Sequence, residues 1–129
     1  MSANPVGLIV AWLPAHLTAP KPTVGEDLPT RLTAGLRQVA VNDAGGPGDQ
    51  VLTLDVADVD VDCFADDRDA ARDLGEECRR ALRRLLPGTS HGGVFVKDVL
   101  TLARPALIPY DVPVIRRCTA SYRLTLHTD

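Results

Sequence analysis

The strongest periodic pattern of apolar residues in the chain lies between residues 66 and 86. Apolar positions recur there every three or four residues, which places them in one stripe along an α-helix. Asp66 and Asp67 precede the stripe as candidate N-caps, and acidic residues followed by arginines suit the helix dipole. The pattern predicts a main helix over residues 66–86. Its predicted buried positions are Ala70, Ala71, Leu74, Cys78, Ala81, Leu82 and Leu85.

A second, shorter helix is predicted near the start of the chain. Asn4 is a candidate N-cap and Pro5 occupies the first helical position, where its missing N–H costs nothing. Pro14 cannot donate to the carbonyl of Val10, so the helix should kink or end there. Residues 18–36, rich in Pro, Gly and Thr, are predicted to be irregular with one short strand. The predicted apolar stripe of this helix is Val6, Ile9, Val10, Leu13 and Leu17.

The rest of the chain has the alternating pattern of β-strands. Strands are predicted over residues 36–42, 51–64, 94–103 and 115–127, and the closing strand alternates most clearly. Its inward positions are predicted to be Cys118, Ala120, Tyr122, Leu124 and Leu126, and its outward ones Arg117, Thr119, Ser121, Arg123, Thr125 and His127.

The predicted strand over residues 51–64 contains a conflict in its pattern. Its apolar residues stand at even positions up to Val56 and at odd positions from Ala57 to Cys63. One flat strand cannot bury both sets on one face, so a bulge or break is predicted near residues 55–58. Residues 44–49, AGGPGD, are predicted to form the exposed turn before this strand.

The order of helix, strands, long helix and two further strands predicts an α+β fold. A mostly antiparallel or mixed sheet would have helices packed on one face, in two layers. The 129 residues suit a single domain over residues 1–129. No segment approaches the ~20 apolar residues of a membrane span. No basic residue precedes Lys21, which argues against a secretory signal and predicts synthesis in the cytoplasm.

Charge is distributed unevenly along the chain. Residues 1–78 contain five basic and fourteen acidic side chains, whereas residues 79–129 contain nine basic and three acidic ones. Such a dipolar subunit suits head-to-tail packing, in which one edge of a copy meets the opposite edge of the next. The three cysteines, Cys63, Cys78 and Cys118, stand at apolar positions without metal-like spacing, and we expect them to be buried free thiols.

Candidate catalytic chemistry is sparse. Asp58, Asp60 and Asp62 alternate on one strand face and could hold Mg²⁺, as in a small metal-dependent nuclease. The competing interpretation is an exposed acidic face paired across the sheet with Arg117 and Arg123. A nucleophile pair of Cys78 and His91 would require a thiol on the buried face of a helix, and His91-Gly92-Gly93 lacks the flanking elements of a phosphate loop.

Arg79, Arg80, Arg83 and Arg84 form a basic cluster on the main helix. A nucleic-acid site is disfavoured by the acidic isoelectric point and the few aromatic residues. A solvated face or a salt-bridged subunit interface explains the cluster better. No convergence of acids, bases and hydrogen-bond donors is apparent, so the sequence predicts a protein without catalytic residues, bound metal or cofactor.

The second half of the chain carries a recognisable layout. An acidic strand, VDVDCFAD, leads into the helix ARDLGEECRRALRRL, followed by the turn LPGTSHGGVFV, the loop LIPYDVPVIRR and the strand CTASYRLTLH. Over roughly residues 50–128 this layout resembles the tail terminator (tail completion) proteins of siphophages, particularly those that infect actinobacteria.

The resemblance implies a structural virion protein that forms a hexameric ring. Such a ring caps the head-proximal end of the tail tube, stops addition of the major tail tube protein and offers a surface to the head–tail connector or stopper protein. The subunit would assemble in the host cytoplasm and reside in the virion neck. It would bind neither membrane nor specific nucleic acid, although DNA passes through the lumen. No cofactor is implied.

We hypothesise that the subunit interface joins basic and acidic groups of neighbouring copies. The residues predicted for contacts between subunits or rings are Arg79, Arg80, Arg83, Arg84, Arg116, Arg117, Asp58, Asp60, Asp62, Tyr110 and Asp111. Three alternatives remain at this point: another neck component such as a head-completion or stopper protein, a metal-dependent nuclease, and an α+β ligand-binding module.

Overall fold

The computed structural model describes residues 4–18, 21–26, 36–51, 53–109 and 115–128. These residues form a mixed sheet of six strands in the order β1-β2-β3-β6-β5-β4. Strands β1 and β2 pair in parallel and the other neighbours are antiparallel. The strands are β1 (Thr23–Gly25), β2 (Arg37–Val51), β3 (Leu54–Ala65), β4 (Ser90–His91), β5 (Val94–Ile108) and β6 (Arg116–Thr128).

Two helices cover one face of the sheet. Helix α1 (Pro5–Trp12) packs against β2 and β3, and α2 (Arg68–Arg80) crosses β3, β6 and β5. The main core lies between these helices and the sheet. The predicted α+β fold in two layers is therefore confirmed. In the described part of the chain, no helix is long and apolar enough to cross a membrane.

Helix α1 begins and ends as its sequence predicts. The side chain of Asn4 accepts a hydrogen bond from the backbone N–H of Gly7 at 3.0 Å, as an N-cap does. The α-helix ends at Trp12, and Leu13–His16 form a 3₁₀ turn that contains Pro14. The predicted stripe is buried except at Val10, which is half-buried.

Helix α2 differs from the prediction at its C-terminal end. Asp67 caps it by accepting from Ala70 N, but Ala81–Leu85 form a π-helical turn in which Leu86 N donates to Ala81 O. A π turn contains more residues than an α turn, so the apolar stripe changes phase. The predicted burial of Leu85 is wrong: it is 53% exposed, and Leu86 is buried instead.

The predicted bulge in β3 is wrong. Strand β3 pairs with β6 without a register shift from Leu54 to Ala65, so Leu54 and Val56 lie on the face opposite the helices. The extra residues are in the partner strand, because β2 has three register shifts against β3. Glycine permits these bulges, and Gly46 has φ of 100°.

Two predicted boundaries also require correction. Residues 44–49 belong to the bulged part of β2, and the hairpin turns later, between Val51 and Leu54. The exposure predicted for that segment is found at most of its positions. Strand β5 extends to Ile108 rather than to residue 103, since three bulges let it follow β6 over this length.

Candidate interaction surfaces

The face of the sheet opposite the helices carries a row of hydrogen-bonded polar side chains. Asp62 on β3 accepts from Arg117 Nη2 at 2.9 Å and from Thr119 Oγ1 at 2.5 Å, both on β6. Direct pairing of Asp62 with Thr119 in the sheet register produces this geometry. Arg117 also lies over the ring of Phe64, with its guanidinium carbon 5.9 Å from the ring centroid.

The same pattern continues along β3 towards the hairpin. Ser121 Oγ donates to Asp60 at 2.7 Å, and Arg123 binds Asp58 through two nitrogens at 2.8 and 3.1 Å. The hydrogen bond to Asp58 raises the pKa of Arg123 above its ordinary value. We call this row the polar ladder. Its members are Asp58, Asp60, Asp62, Arg117, Thr119, Ser121 and Arg123.

The polar ladder favours one of the two interpretations of the acidic strand. Pairing of the strand with Arg117 and Arg123 is confirmed, with the carboxylate of Asp62 almost completely buried. Among the described residues, no group of three or more His, Cys, Asp or Glu side chains could hold a metal ion. Asp58 and Asp62 are paired within their own chain, which leaves them poorly placed as partners for a neighbouring subunit.

The four arginines predicted at an interface lie at the C-terminal end of α2 and in the π turn, and they line an open cleft with Glu76. Arg79 Nη1 lies 3.8 Å from Glu76 Oε1, and Arg83 Nη1 donates a hydrogen bond to the backbone carbonyl of Val99 on β5. Within the described ranges, Arg80 and Arg84 have no ion-pair partner, and both are exposed. Arginines at a helix C-terminus are favoured by the dipole, but four together repel one another.

Two further predicted interface residues, Arg116 and Arg117, lie near the N-terminal end of α2. Arg116 and Arg117 line a cleft with Arg68 and with the end of β5 at Ile108. Arg117 belongs to the polar ladder, so the structure assigns it a partner within the chain. Tyr110 and Asp111 lie outside the described residues.

The three thiols are buried in the main core, as predicted, and they lie near one another. Cys63 on β3 lies opposite Cys118 on β6 in the sheet register. The Sγ atom of Cys63 lies 3.8 Å from the Sγ atom of Cys78. The contact with Cys78 and burial raise the pKa of Cys63, and burial raises that of Cys118 to about 11. Burial also raises the pKa of Tyr122. These groups stay protonated at neutral pH, which suits core packing rather than nucleophilic chemistry.

The histidines do not join the thiols. His16 stacks on Trp12 with ring centroids 4.0 Å apart, and Nε2 of His91 shares a hydrogen bond of 2.7 Å with Thr89 Oγ1. The hydrogen-bond partner of Cys78 is Cys63 and that of His91 is Thr89, so the described contacts do not include the Cys78–His91 pair considered from the sequence.

The end of the β2–β3 hairpin is a further charged surface, and its charge is negative. From Gln38 to Asp67 the chain contains eight aspartates and no Lys, Arg or His, a signal that was present in the sequence. Asp49 and Asp55 extend this charge beyond the polar ladder towards the end of the hairpin, and they pair directly in the sheet register. Like charges opposite each other in a sheet are destabilising.

The fold defined above is shared with a virion protein of known structure. Over 98% of its length, the chain superposes with TM-score 0.53 on 87% of a chain from a structure described as "Virion of native gene transfer agent (GTA) particle". The two sequences are 16% identical, so the comparison establishes a common fold. No protein-family model and no curated protein sequence matches the chain.

Proposed function

We propose that the chain is a structural virion subunit that forms a hexameric ring at the head-proximal end of a phage tail tube. The ring stops polymerisation of the tube and provides the surface on which the head docks. The observation that carries this proposal is the fold shared with a gene transfer agent virion chain over almost the whole sequence. The resemblance of residues 50–128 to siphophage tail terminators narrows the proposal to the end of the tail.

The described surface supports an assembly role. The acidic strand that suggested a metal site is neutralised in the polar ladder, and the thiols are buried in the core. The exposed surface includes a basic helix end and an acidic hairpin, and both are suited to contacts with protein. In this proposal the chain acts through its surfaces, without a catalytic step and without a cofactor.

Electron microscopy of particles assembled without the chain tests the proposal. Overlong tails would support the terminator, because nothing would then stop addition of the tube protein. Tails of normal length that fail to join heads would contradict it and favour a head-completion or stopper protein. As a biochemical check, the purified chain should bind tube ends and block their elongation.

Divalent-metal titration separates this proposal from a nuclease. The arginine partners of Asp58 and Asp62 compete with any cation for these carboxylates, so we expect no saturable Mg²⁺ binding. Saturable binding that is lost in Asp60→Asn would contradict this expectation.

A further inference from the structure

Two surfaces of opposite charge lie towards opposite edges of the sheet. The acidic arm is the end of the β2–β3 hairpin that bears Asp49 and Asp55. The basic edge is formed by the C-terminal end of α2, its π turn and β5. Its cationic residues are Arg79, Arg80, Arg83, Arg84, Lys97 and Arg104.

The topology keeps these surfaces apart within one subunit. Strands β2 and β5 are separated by β3 and β6, which corresponds to three strand spacings, or roughly 14 Å. Arg83 fixes the end of α2 on β5 by donating to the carbonyl of Val99. In the described part of the chain, Asp49 and Asp55 have no ion-pair partner.

Each surface also contains repulsion that its own chain does not relieve. Asp49 and Asp55 are direct cross-strand partners. On the basic edge, four arginines line one cleft with a single carboxylate, that of Glu76, so a net positive charge remains there. A partner that brings the opposite charge to either surface would relieve this repulsion, and the chain itself supplies both charges.

We propose that copies of the chain associate head to tail, with the acidic arm of one copy on the basic edge of the next. The inference deepens the proposed function and rests on it for closure into a ring. The contact is made by side chains rather than by strand pairing. Three register shifts in β5 and three in β2 interrupt these strands, which lie at the sheet edge wherever β4 and β1 do not pair with them, and such irregularities disfavour backbone pairing.

DNA is the competing partner for the basic edge. Binding of DNA would leave the acidic arm without a role. The net charge of the chain, −3, also disfavours binding to a polyanion. A second copy accounts for both surfaces together, because each copy offers one and receives the other. A contact of this kind is heterologous, which permits a closed ring.

Charge reversal at the two surfaces tests the proposal. The basic-edge variant is Arg80→Glu/Arg84→Glu, and the acidic-arm variant is Asp49→Lys/Asp55→Lys. The matched control is Arg68→Glu/Arg72→Glu, which changes two exposed arginines with the same spacing at the other end of α2. Circular dichroism verifies that each variant is folded.

Sedimentation and native mass spectrometry then measure self-association at low and moderate salt. The wild-type chain and the control should form the same oligomer, weakened by salt because screening shortens the range of the attraction. Each charge-reversed variant alone should dissociate at least roughly tenfold more readily. An equimolar mixture of the two variants should recover an oligomer in which they alternate, since each surface again meets its opposite.

Three outcomes would overturn the inference. If both variants keep the wild-type oligomer, the interface lies elsewhere, and the proposal that the chain forms a ring is not affected. If the wild-type chain remains a monomer under all conditions, the chain lacks this contact, and the length of tails made without it still tests the proposed function. If Arg80→Glu/Arg84→Glu loses binding to a short DNA duplex while its oligomer is unchanged, the basic edge is a nucleic-acid site.

Discussion

Replacement of Gly75 by alanine separates the helix preference of this position from its packing. In an open helix the change would stabilise the protein by about 1 kcal/mol, because glycine is a poor helix former. Here the new Cβ would lie 2.9 Å from Cys118 Sγ and 3.1 Å from Pro105 Cβ, at the contact of α2 with the sheet. Overpacking of a core costs about 1–3 kcal/mol. We therefore expect Gly75→Ala to destabilise the protein by up to about 2 kcal/mol.

The partner substitution makes this prediction specific. Cys118→Ala removes the buried sulfur and should cost about 1–2 kcal/mol by itself. In the double variant the new Cβ of residue 75 occupies space left by that sulfur, so the total loss should be smaller than the sum of the two single losses. Double-mutant cycles measure such coupling directly.

Urea unfolding followed by circular dichroism under reducing conditions is the assay. Gly25→Ala is the control, because a Cβ there meets nothing within 4 Å, and we expect little change in its free energy of unfolding. Stabilisation by Gly75→Ala, or additive losses in the double variant, would refute the close packing of α2 against Cys118.

The remaining predictions concern the polar ladder and the buried thiol and phenol groups of Cys118 and Tyr122. Asp62→Asn should lower the free energy of unfolding by about 2–4 kcal/mol, since it removes the charge that binds Arg117 in a buried position. Asp60→Asn, which faces a neutral hydroxyl, should cost no more than about 1 kcal/mol; equal losses in urea unfolding would contradict the assignment. Raising the pH should also destabilise the fold. Burial raises the pKa of Cys118 from 9.0 to about 11, so its contribution is complete below pH 9 and is lost as the pH rises through 11. Tyr122 shifts in the same direction. Urea unfolding at successive pH values measures this loss, which Cys118→Ala should reduce; a free energy independent of pH would exclude it.

Local sequence patterns were sufficient for much of the architecture. Alternation in β6 predicted which side chains face the core, because a strand that is half-covered by helices exposes every second residue. Asn4 and Asp67 predicted the beginnings of both helices, since capping is a contact within one turn. The alternating charges on two strands suggested that the acidic strand pairs with Arg117 and Arg123, but they left a metal site open as the alternative.

Positions that depend on partners distant in sequence were predicted less well. The two sets of apolar residues in β3 indicated a bulge there, whereas the tertiary structure has the bulges in β2, where glycines with positive φ lower their cost. Leu85 fits the helical period, yet the π turn exposes it and buries Leu86. Neither outcome is decided by a periodic pattern, because each depends on which neighbouring strand or turn accommodates an extra residue.

By itself, the sequence determined the fold class, the helix starts, the buried faces and the separation of charge between the two halves of the chain. The tertiary structure alone decided which charges remain available. It paired Asp58 and Asp62 with arginines of the same chain and put the basic helix end and the acidic hairpin at opposite sides of one sheet. The physical reason is that charge is a property of the residue, whereas its neutralisation depends on the register of strands far apart in sequence.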